Sequence, residues 1–398
     1  MINYKNSTDF LNLKKCSADT ILDLPYVNFE NSLKKVDFIN KYSKKASKNI
    51  SNYKKRLLIK YKKYTNIIVL LEGEILLNNL DKTLVDCEVN TLQDNNPDTN
   101  LIELLKSKSE NKMQAHLKAN LNSVLLLKFK KSAIIDTPLL IVVATINDLS
   151  HYMQIVLEQN SCVKIIEKLE NAGTSFINAN TNINLDENSN LEYVRIEKSN
   201  KNSFIYSSIS GNVNANASLK YSYADLNDSN VCCNTNINLM GELAYADINC
   251  VILSALKEQH MHFMQIEHFA KCTIGAINNH AVANDQSEIY IEGVGKINKG
   301  MAGSDSNQQT KVISLRDTAT VTAKPFLFID EFDVKAGHGV AVGQLDQQEI
   351  YYLMSRGLTK EDAQKLIIQG FLKPIADNIF IKEVGKEFKR LVEKKLNY

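Results

Sequence analysis

The chain has no tryptophan, and only 5 prolines and 15 glycines among its 398 residues. So few backbone breakers leave long stretches free to build regular structure. Extended apolar runs are missing too. The longest, Ile67–Leu71 and Leu139–Thr145, fall well short of the ~20 residues that span a bilayer. The opening MINYKNSTDF leads into no apolar core, so neither a secretory signal nor a membrane partner is expected, and the expected location is cytoplasmic. A strong charge of either sign is absent: 47 Lys and Arg against 45 Asp and Glu give a net charge of +2, so no nucleic-acid partner is expected. One stretch departs from this balance, Lys34 to Lys63, with twelve basic residues against the single acid Asp37. It reads either as a patch for nucleic acid or an acidic partner, or as a solvated helical face, and the last reading is preferred.

Chemistry-bearing motifs are sparse. The seven cysteines, Cys16, Cys87, Cys162, Cys232, Cys233, Cys250 and Cys272, include no C-x-x-C pair. Reduced, mostly buried thiols are expected, and a self-contained four-cysteine zinc or iron–sulfur site is not. The nearest approach to a phosphate loop, Gly293-Val-Gly295-Lys296, has the wrong spacing and follows Glu292. Neither G-x-S-x-G nor H-E-x-x-H occurs.

The sequence does contain a long series of short β-prone runs. From about Leu121 to Phe328, segments such as Ser123–Phe129, Pro138–Val143, Ile155–Leu157, Val163–Ile166, Phe204–Ile209 and Ser287–Ile291 alternate with Asn, Ser, Asp and Gly. A weak repeat runs through them. Leu191-Glu-Tyr193 recurs as Leu219-Lys-Tyr221 and as Leu243-Ala-Tyr245. Periods of this size indicate stacked units, here the coils of a β-solenoid with Leu and Ile inward and Asn, Glu and Lys outward. A β-sandwich gives a similar pattern and stays open on pattern alone. Before Leu121 the chain reads as irregular and partly helical, with a polar break at Asn90–Asn100 and a short element, helix or strand, at Ile102–Leu105.

The end turns helical. Ile350, Leu353 and Met354 share a face that ends at Gly357, and Thr359 with Asp362 forms a capping box ahead of Ala363, Leu366, Ile367 and Phe371. Pro374 closes that helix. A last helix carries Ile381, Val384, Phe388, Leu391 and Val392 on one side. The expected division is a partly helical region over 1–118, a β core over 119–333 and a helical region over 334–398.

Two groups of residues are candidates for a site. His260 and His262 would share one face of a strand and so suit metal ligation, although no thiol or carboxylate spacing completes the set and a polar ladder is the preferred reading. In Pro325–Gly357 (PFLFIDEFDVKAGHGVAVGQLDQQEIYYLMSRG), a strand precedes the acidic Asp330, Glu331 and Asp333, and His338 lies between Gly337 and Gly339. The imidazole there either meets a metal or caps a glycine turn.

This last segment resembles the C-terminal signature of the SufB/SufD family. The matching residues are Pro325-Phe-Leu-Phe-Ile329, Asp333-Val-Lys335, His338-Gly339, Gly343-Gln-Leu-Asp346, Tyr351-Tyr-Leu353 and Ser355-Arg-Gly-Leu358, with weaker likeness at Glu292–Ile297 and Gln308-Gln309 and back to about Thr137-Pro138. The His-Gly pair and the chain length resemble the SufD side of the family. The resemblance implies a mainly β fold, a right-handed parallel β-helix core between helical N-terminal and C-terminal regions. It implies a non-catalytic scaffold of the SufBCD complex for iron–sulfur cluster assembly, pairing with a SufB-like paralogue and binding a SufC-like ATPase through the C-terminal region, where Tyr352, Arg356, Leu366 and Phe371 are candidate contacts. His338 matches the family's interface histidine, a ligand for a transient iron–sulfur cluster; no tightly bound cofactor is implied. The family cysteine two residues earlier is Ala336 here, and Ala has no donor atom. A SufB-like scaffold, or a homodimer in isolation, is the nearest alternative. A β-helix polysaccharide-acting enzyme using Asp330, Glu331 and Asp333 is the more distant one, disfavoured by the lack of tryptophan platforms.

Overall fold

A computed structural model describes residues 50–80, 87–91, 106 and 111–396. Cys16, the basic residues of 34–49 and the run Ile102–Leu105 lie outside them. From residue 123 onward the chain alternates between two sheets. Strands β5 (Ile134–Thr145), β7 (Cys162–Asn171), β9 (Asn190–Lys198), β11 (Ser218–Asp225), β13 (Tyr245–Ser254), β15 (Ile274–Ala283), β17 (Asp305–Ser314) and β19 (Lys335–Gly343) stack in parallel in one sheet. Strands β4 (Ser123–Phe129), β6 (Leu149–Leu157), β8 (Phe176–Leu185), β10 (Phe204–Val213), β12 (Asn230–Leu239), β14 (Gln259–His268), β16 (Glu288–Ile297) and β18 (Thr320–Ile329) stack in the other. The result is a parallel β-solenoid of roughly eight two-strand coils. Its parallel ladders exclude the sandwich, whose strands pair antiparallel. At the N-terminal end, β2 (Glu74–Asn79) and β3 (Cys87–Thr91) add antiparallel edges, and β1 (Ile67–Leu71) pairs in parallel with β5. The sheets thus begin before residue 118 and run past residue 333. No helix among the described residues is long and apolar enough to cross a membrane.

The repeat is partly in register. Leu191 and Tyr193 pair with Leu219 and Tyr221, and the two tyrosine rings stack at 5.3 Å. The third copy is not: Leu219 and Tyr221 pair next with Ala246 and Ile248. Leu243 lies instead in the corner before the strand. That corner has its own repeat. Asn160, Asn188, Asn216, Leu243, Cys272 and Gly303 all adopt positive φ, from 54° to 76°. Each donates its N–H to a carbonyl in the corner of the following coil: Glu187, Ala215, Glu242, Lys271, Ala302 and Asp333 in turn. Asn tolerates this left-handed conformation better than most residues, which gives the corner asparagines a structural role. Leu243 does not share that tolerance, and its side chain is 59% exposed.

Side chains facing inward from both sheets fill the lumen, from Ile68 and Leu125 at one end to Ile291 and Val312 at the other. A second core lies outside the β19-to-β1 sheet, where helices from both ends of the chain pack: α1 (Ile50–Tyr61), α3 (Gln347–Ser355), α4 (Lys360–Phe371), α5 (Lys373–Ala376) and α6 (Lys382–Lys395). Strands β1 and β5 of that sheet are buried on both faces from Ile67 to Leu71 and from Leu139 to Thr145, which accounts for those continuous runs. A third, smaller cluster joins Phe176, Phe204 and Phe263 on the other sheet to Met113 of α2 (Lys112–Asn120). The expected capping box forms, with Thr359 accepting from Asp362 N–H at 3.1 Å, and Asp346 also caps α3 by accepting from Gln348 N–H at 2.8 Å. Helix α4 ends at Phe371, ahead of Pro374.

An ion network ties the two chain ends to the solenoid wall. Lys168 of β7 meets Glu170 at 2.6 Å and Glu387 of α6 at 2.7 Å, and Lys60 of α1 meets the same two carboxylates at 2.9 and 2.8 Å. Tyr61 donates to Glu170 at 2.6 Å. Part of the basic stretch therefore forms an internal contact. Burial alone would push the Glu170 carboxyl up, but Lys168 and Lys60 hold it down at about 2.

Two outcomes follow. Leu243→Asn should stabilise the chain by about 1 kcal/mol by relieving a left-handed Leu, a rise of about 2 °C in thermal melts; a lowered melting temperature would contradict the corner assignment. The folded pKa of Glu170 is depressed, so its contribution is complete above its unfolded pKa and is lost as pH falls toward about 2. That contribution is on the order of 3 kcal/mol. Melts between pH 6 and pH 3 should show Glu170→Gln losing less stability on acidification than the unaltered chain, and parallel losses would contradict the network's role.

Candidate functional site

The C-terminal end of the solenoid is open. Neither β18 nor β19 has a strand on its outer side among the described residues. In β17 the lumen-facing side chains are Ser306, Gln308, Thr310 and Val312, all buried. Register carries that row onto Ala336, His338, Val340 and Val342 of β19. These residues form the next layer of the lumen without a layer above them, so Val340 and Val342 are 42% and 53% exposed and His338 is exposed as well. On β18, Phe326 and Phe328 lie exposed on the outer face with rings stacked at 6.2 Å.

His338 sits in a strand, which sets aside the reading of a glycine turn. Gly337 and Gly339 both keep negative φ. Its register partner is Gln308, which donates from Nε2 to the Phe326 carbonyl at 2.7 Å while its buried Oε1 has no partner. Gly293 and Gly295 make room for this layer. A Cβ on Gly293 would come within 2.4 Å of Gln308 Oε1, and one on Gly295 within 2.4 Å of Ser306 Oγ. The glycines of Gly293-Val-Gly295-Lys296 thus serve packing in a strand and bind no phosphate loop.

Of the residues expected to face a partner, Tyr352 is 57% and Leu366 50% exposed. The Arg356 guanidinium lies over the Tyr352 ring at 5.2 Å. Phe371 is turned inward instead, half-buried with its ring edge against His280 at 4.9 Å. Glu331 closes the corner between β18 and β19 by accepting from Gly300 N–H and Phe332 N–H, each at 2.8 Å.

The lumen also holds a polar file that the sequence did not disclose. Arg195, wholly buried, contacts Glu197 at 2.8 Å and Glu167 at 3.5 Å, and donates to Thr181 at 3.2 Å. Tyr193 donates to Glu167, Tyr223 to Glu197 at 2.6 Å and Ser207 to Glu197 at 2.7 Å. Burial works against the guanidinium charge, but Glu167 and Glu197 keep Arg195 protonated; burial pushes Glu167 up, an effect Arg195 only partly offsets. Further along, Asp225 Oδ2 lies 2.6 Å from His260 Nδ1 and 2.9 Å from His262 Nε2, all three residues fully buried. Burial alone would raise the Asp225 carboxyl, yet the two imidazoles hold it well below its ordinary range. Burial disfavours the charged form of His260, and Asp225 more than reverses that. The file reaches the exterior at Glu258, which accepts from Lys395 of α6 at 2.7 Å.

His260 and His262 do share a face, as their spacing indicates, but that face is the interior. Their carboxylate partner comes from the opposite sheet, 35 and 37 residues upstream, so no local spacing announces it. Five described cysteines are free, Cys162, Cys232, Cys233, Cys250 and Cys272. Cys233 faces the lumen, whereas Cys232 packs on the outside with Phe204 and Phe263.

Comparison with known proteins places this architecture. The family model described as "SUF system FeS cluster assembly, SufBD core domain" matches residues 143–371, from within β5 to the end of α4. The chain is 36% identical over 171 residues to the iron–sulfur cluster assembly protein SufD of Bacillus subtilis, covering 43% of this chain and 39% of that one. It is 27% identical over 144 residues to SufD of Escherichia coli, covering 36% and 34% respectively. With a SufBD family protein of Pyrococcus horikoshii it shares 30% identity over 155 residues, 39% of this chain and 34% of that one. The matched segments therefore span little more than a third of these relatives' own lengths. Over most of its solenoid and its first C-terminal helices, the chain belongs to the SufBD family of iron–sulfur cluster assembly proteins.

Proposed function

We propose that this chain is a non-catalytic scaffold that pairs through its open last coil with a SufB-like paralogue and docks a SufC-like ATPase on its C-terminal helices. The observation that carries this reading is the uncovered lumen layer. Among the described residues, strands β18 and β19 leave two rows of backbone donors and acceptors without sheet partners, and Val340 and Val342 occupy positions that every earlier coil buries. Such an edge favours another strand pair of matching spacing. The relatives named SufD support the paralogue assignment.

In that pairing His338 would stand at the boundary between the subunits. A neutral imidazole offers one nitrogen to a metal. Ala336 offers nothing, so a cluster assembled there as cargo takes one ligand from this chain and the rest from the partner. Its stay is transient. Tyr352, Arg356 and Leu366, exposed on and beside α3 and α4, make up the surface proposed for the ATPase; Phe371 supports it from beneath. The reading places the complex in the cytoplasm, where such an ATPase has its nucleotide.

Co-expression with SufB-like and SufC-like chains from the same genome, followed by size-exclusion chromatography, should yield a three-subunit complex. A stable homodimer without affinity for the paralogue would contradict the reading. Val340→Asp buries a charge in the joint and should weaken pairing by about 2 kcal/mol or more, roughly 30-fold. Leu366→Asp should release the ATPase and leave the paralogue bound. His338→Ala should leave the complex intact and lower its cluster yield, read by visible absorbance, by about tenfold; an unchanged yield would remove His338 from the chemistry.

A further inference from the structure

We infer that Asp225, His260 and His262 form a binding site for one divalent first-row transition-metal ion, Zn(II) or Fe(II), inside the solenoid and separate from His338. Two imidazole nitrogens and one carboxylate oxygen converge there, with all three ligand atoms within 4.8 Å of one another. Asp225 comes from β11 of one sheet, and His260 and His262 from β14 of the other, so the ligands approach from both walls of the lumen. Zn–N and Zn–O bonds near 2.0–2.2 Å place donors about 3.3 Å apart around a tetrahedral ion. The present separations of 2.6 and 2.9 Å need to open by about 0.7 and 0.4 Å to reach that spacing. This donor set suits Zn(II) and Fe(II), and is too nitrogen-rich for Mg(II) or Ca(II).

The hydrogen bonds around the three residues give a metal its outer supports. Without an ion, Asp225 Oδ2 must accept from both His260 Nδ1 and His262 Nε2. The outward nitrogen of His262, Nδ1, is then buried without a hydrogen-bond partner, an expensive arrangement in a closed interior, and His260 Nε2 has only the Glu258 carboxylate at 3.5 Å. A metal at the convergence point takes the lone pairs of Nδ1 and Nε2 and fixes the tautomers. The His260 proton moves to Nε2, which faces the Glu258 carboxylate at 3.5 Å, and Glu258 is itself held by Lys395 at 2.7 Å. Asp225 Oδ1 is likewise anchored, by Asn227 N–H at 3.1 Å and Asn227 Nδ2 at 2.8 Å. A ligating histidine backed by a carboxylate, and a ligating carboxylate held by hydrogen bonds, are the usual outer supports of a metal centre. Only the His262 Nδ1 proton stays without a partner.

All three ligands are 0% exposed. The ion therefore enters as the chain folds and is retained afterwards, which couples its binding to folding. It would brace the two sheets at mid-solenoid, one step from the α6 contact at Lys395.

The test uses the full chain, unfolded in guanidinium with a chelator and refolded with or without Zn(II), with Co(II) as the spectroscopic probe. The expected result is about one equivalent of Zn(II) retained through desalting. With Co(II), d–d absorption should appear, and the melting temperature should be higher than that of the metal-free chain. His262→Gln and Asp225→Asn should each cut retained metal at least tenfold while the far-ultraviolet circular dichroism of the solenoid persists. Metal content below about a tenth of an equivalent in the unaltered chain, with an unchanged melting temperature, would overturn the inference. So would a folded His262→Gln variant that retains as much Zn(II) and gives the same Co(II) spectrum. If both variants fail to fold, the Co(II) spectrum of the unaltered chain decides: absence of d–d bands overturns the site.

Discussion

Each coil of this solenoid is sealed by the coil above it. A lumen side chain is buried only when its neighbours on both sides are present, and a strand's backbone groups are satisfied only when a strand lies on each side. Such a stack needs an ending. At the N-terminal end the chain supplies one, with β2 and β3 turning back as antiparallel edges. At the C-terminal end no described residue covers β18 and β19, and the chain departs into helices that pack on the outer wall. The same asymmetry leaves Val340 and Val342 exposed and places His338 at the rim.

The outer wall and the lumen are linked. From β1 to β15 the sheet that forms this wall is covered on one side by the lumen core and on the other by helices from both ends of the chain. Two charged networks tie the outer helices to the solenoid. One joins Lys60, Lys168, Glu170 and Glu387, and so holds α1 and α6 to β7. The other runs from Lys395 through Glu258 to His260 and Asp225 in the interior. Buried pairs of this kind are poor sources of net stability and strongly penalise loss of either member. They specify where the last helix sits, and the helical surface bearing Leu366 depends on that placement.

Much of the architecture was legible because a solenoid repeats its pattern along the chain. The run Ser123–Phe129 is a strand with those same limits, and Leu191 and Leu219 do stack. The misread copy at Leu243 is instructive: corners repeat as faithfully as strands, and a leucine in a left-handed corner imitates the start of a strand. What stayed hidden was contact between segments far apart in sequence. Ile67–Leu71 joins the sheet beside Leu139–Thr145 across a stretch of polar sequence, and Lys60 reaches Glu387 at the opposite end of the chain. The partner of His260 and His262 comes from the facing sheet, and the inward direction of their side chains depends on a register the sequence does not state. The resemblance around His338 located the open edge; only the stacking parity of β17 and β19 shows that the edge is an unfinished lumen layer.

The most direct measurement of the central claim, that the last coil is incomplete until a second subunit covers it, is amide hydrogen exchange across the solenoid, with and without the paralogous partner. In the isolated chain, amides of Thr320–Ile329 and Lys335–Gly343 should exchange far faster than those of the preceding coils, and partner binding should protect them selectively. Protection of that coil in the isolated monomer equal to its neighbours, or no change there on complex formation, would contradict the account.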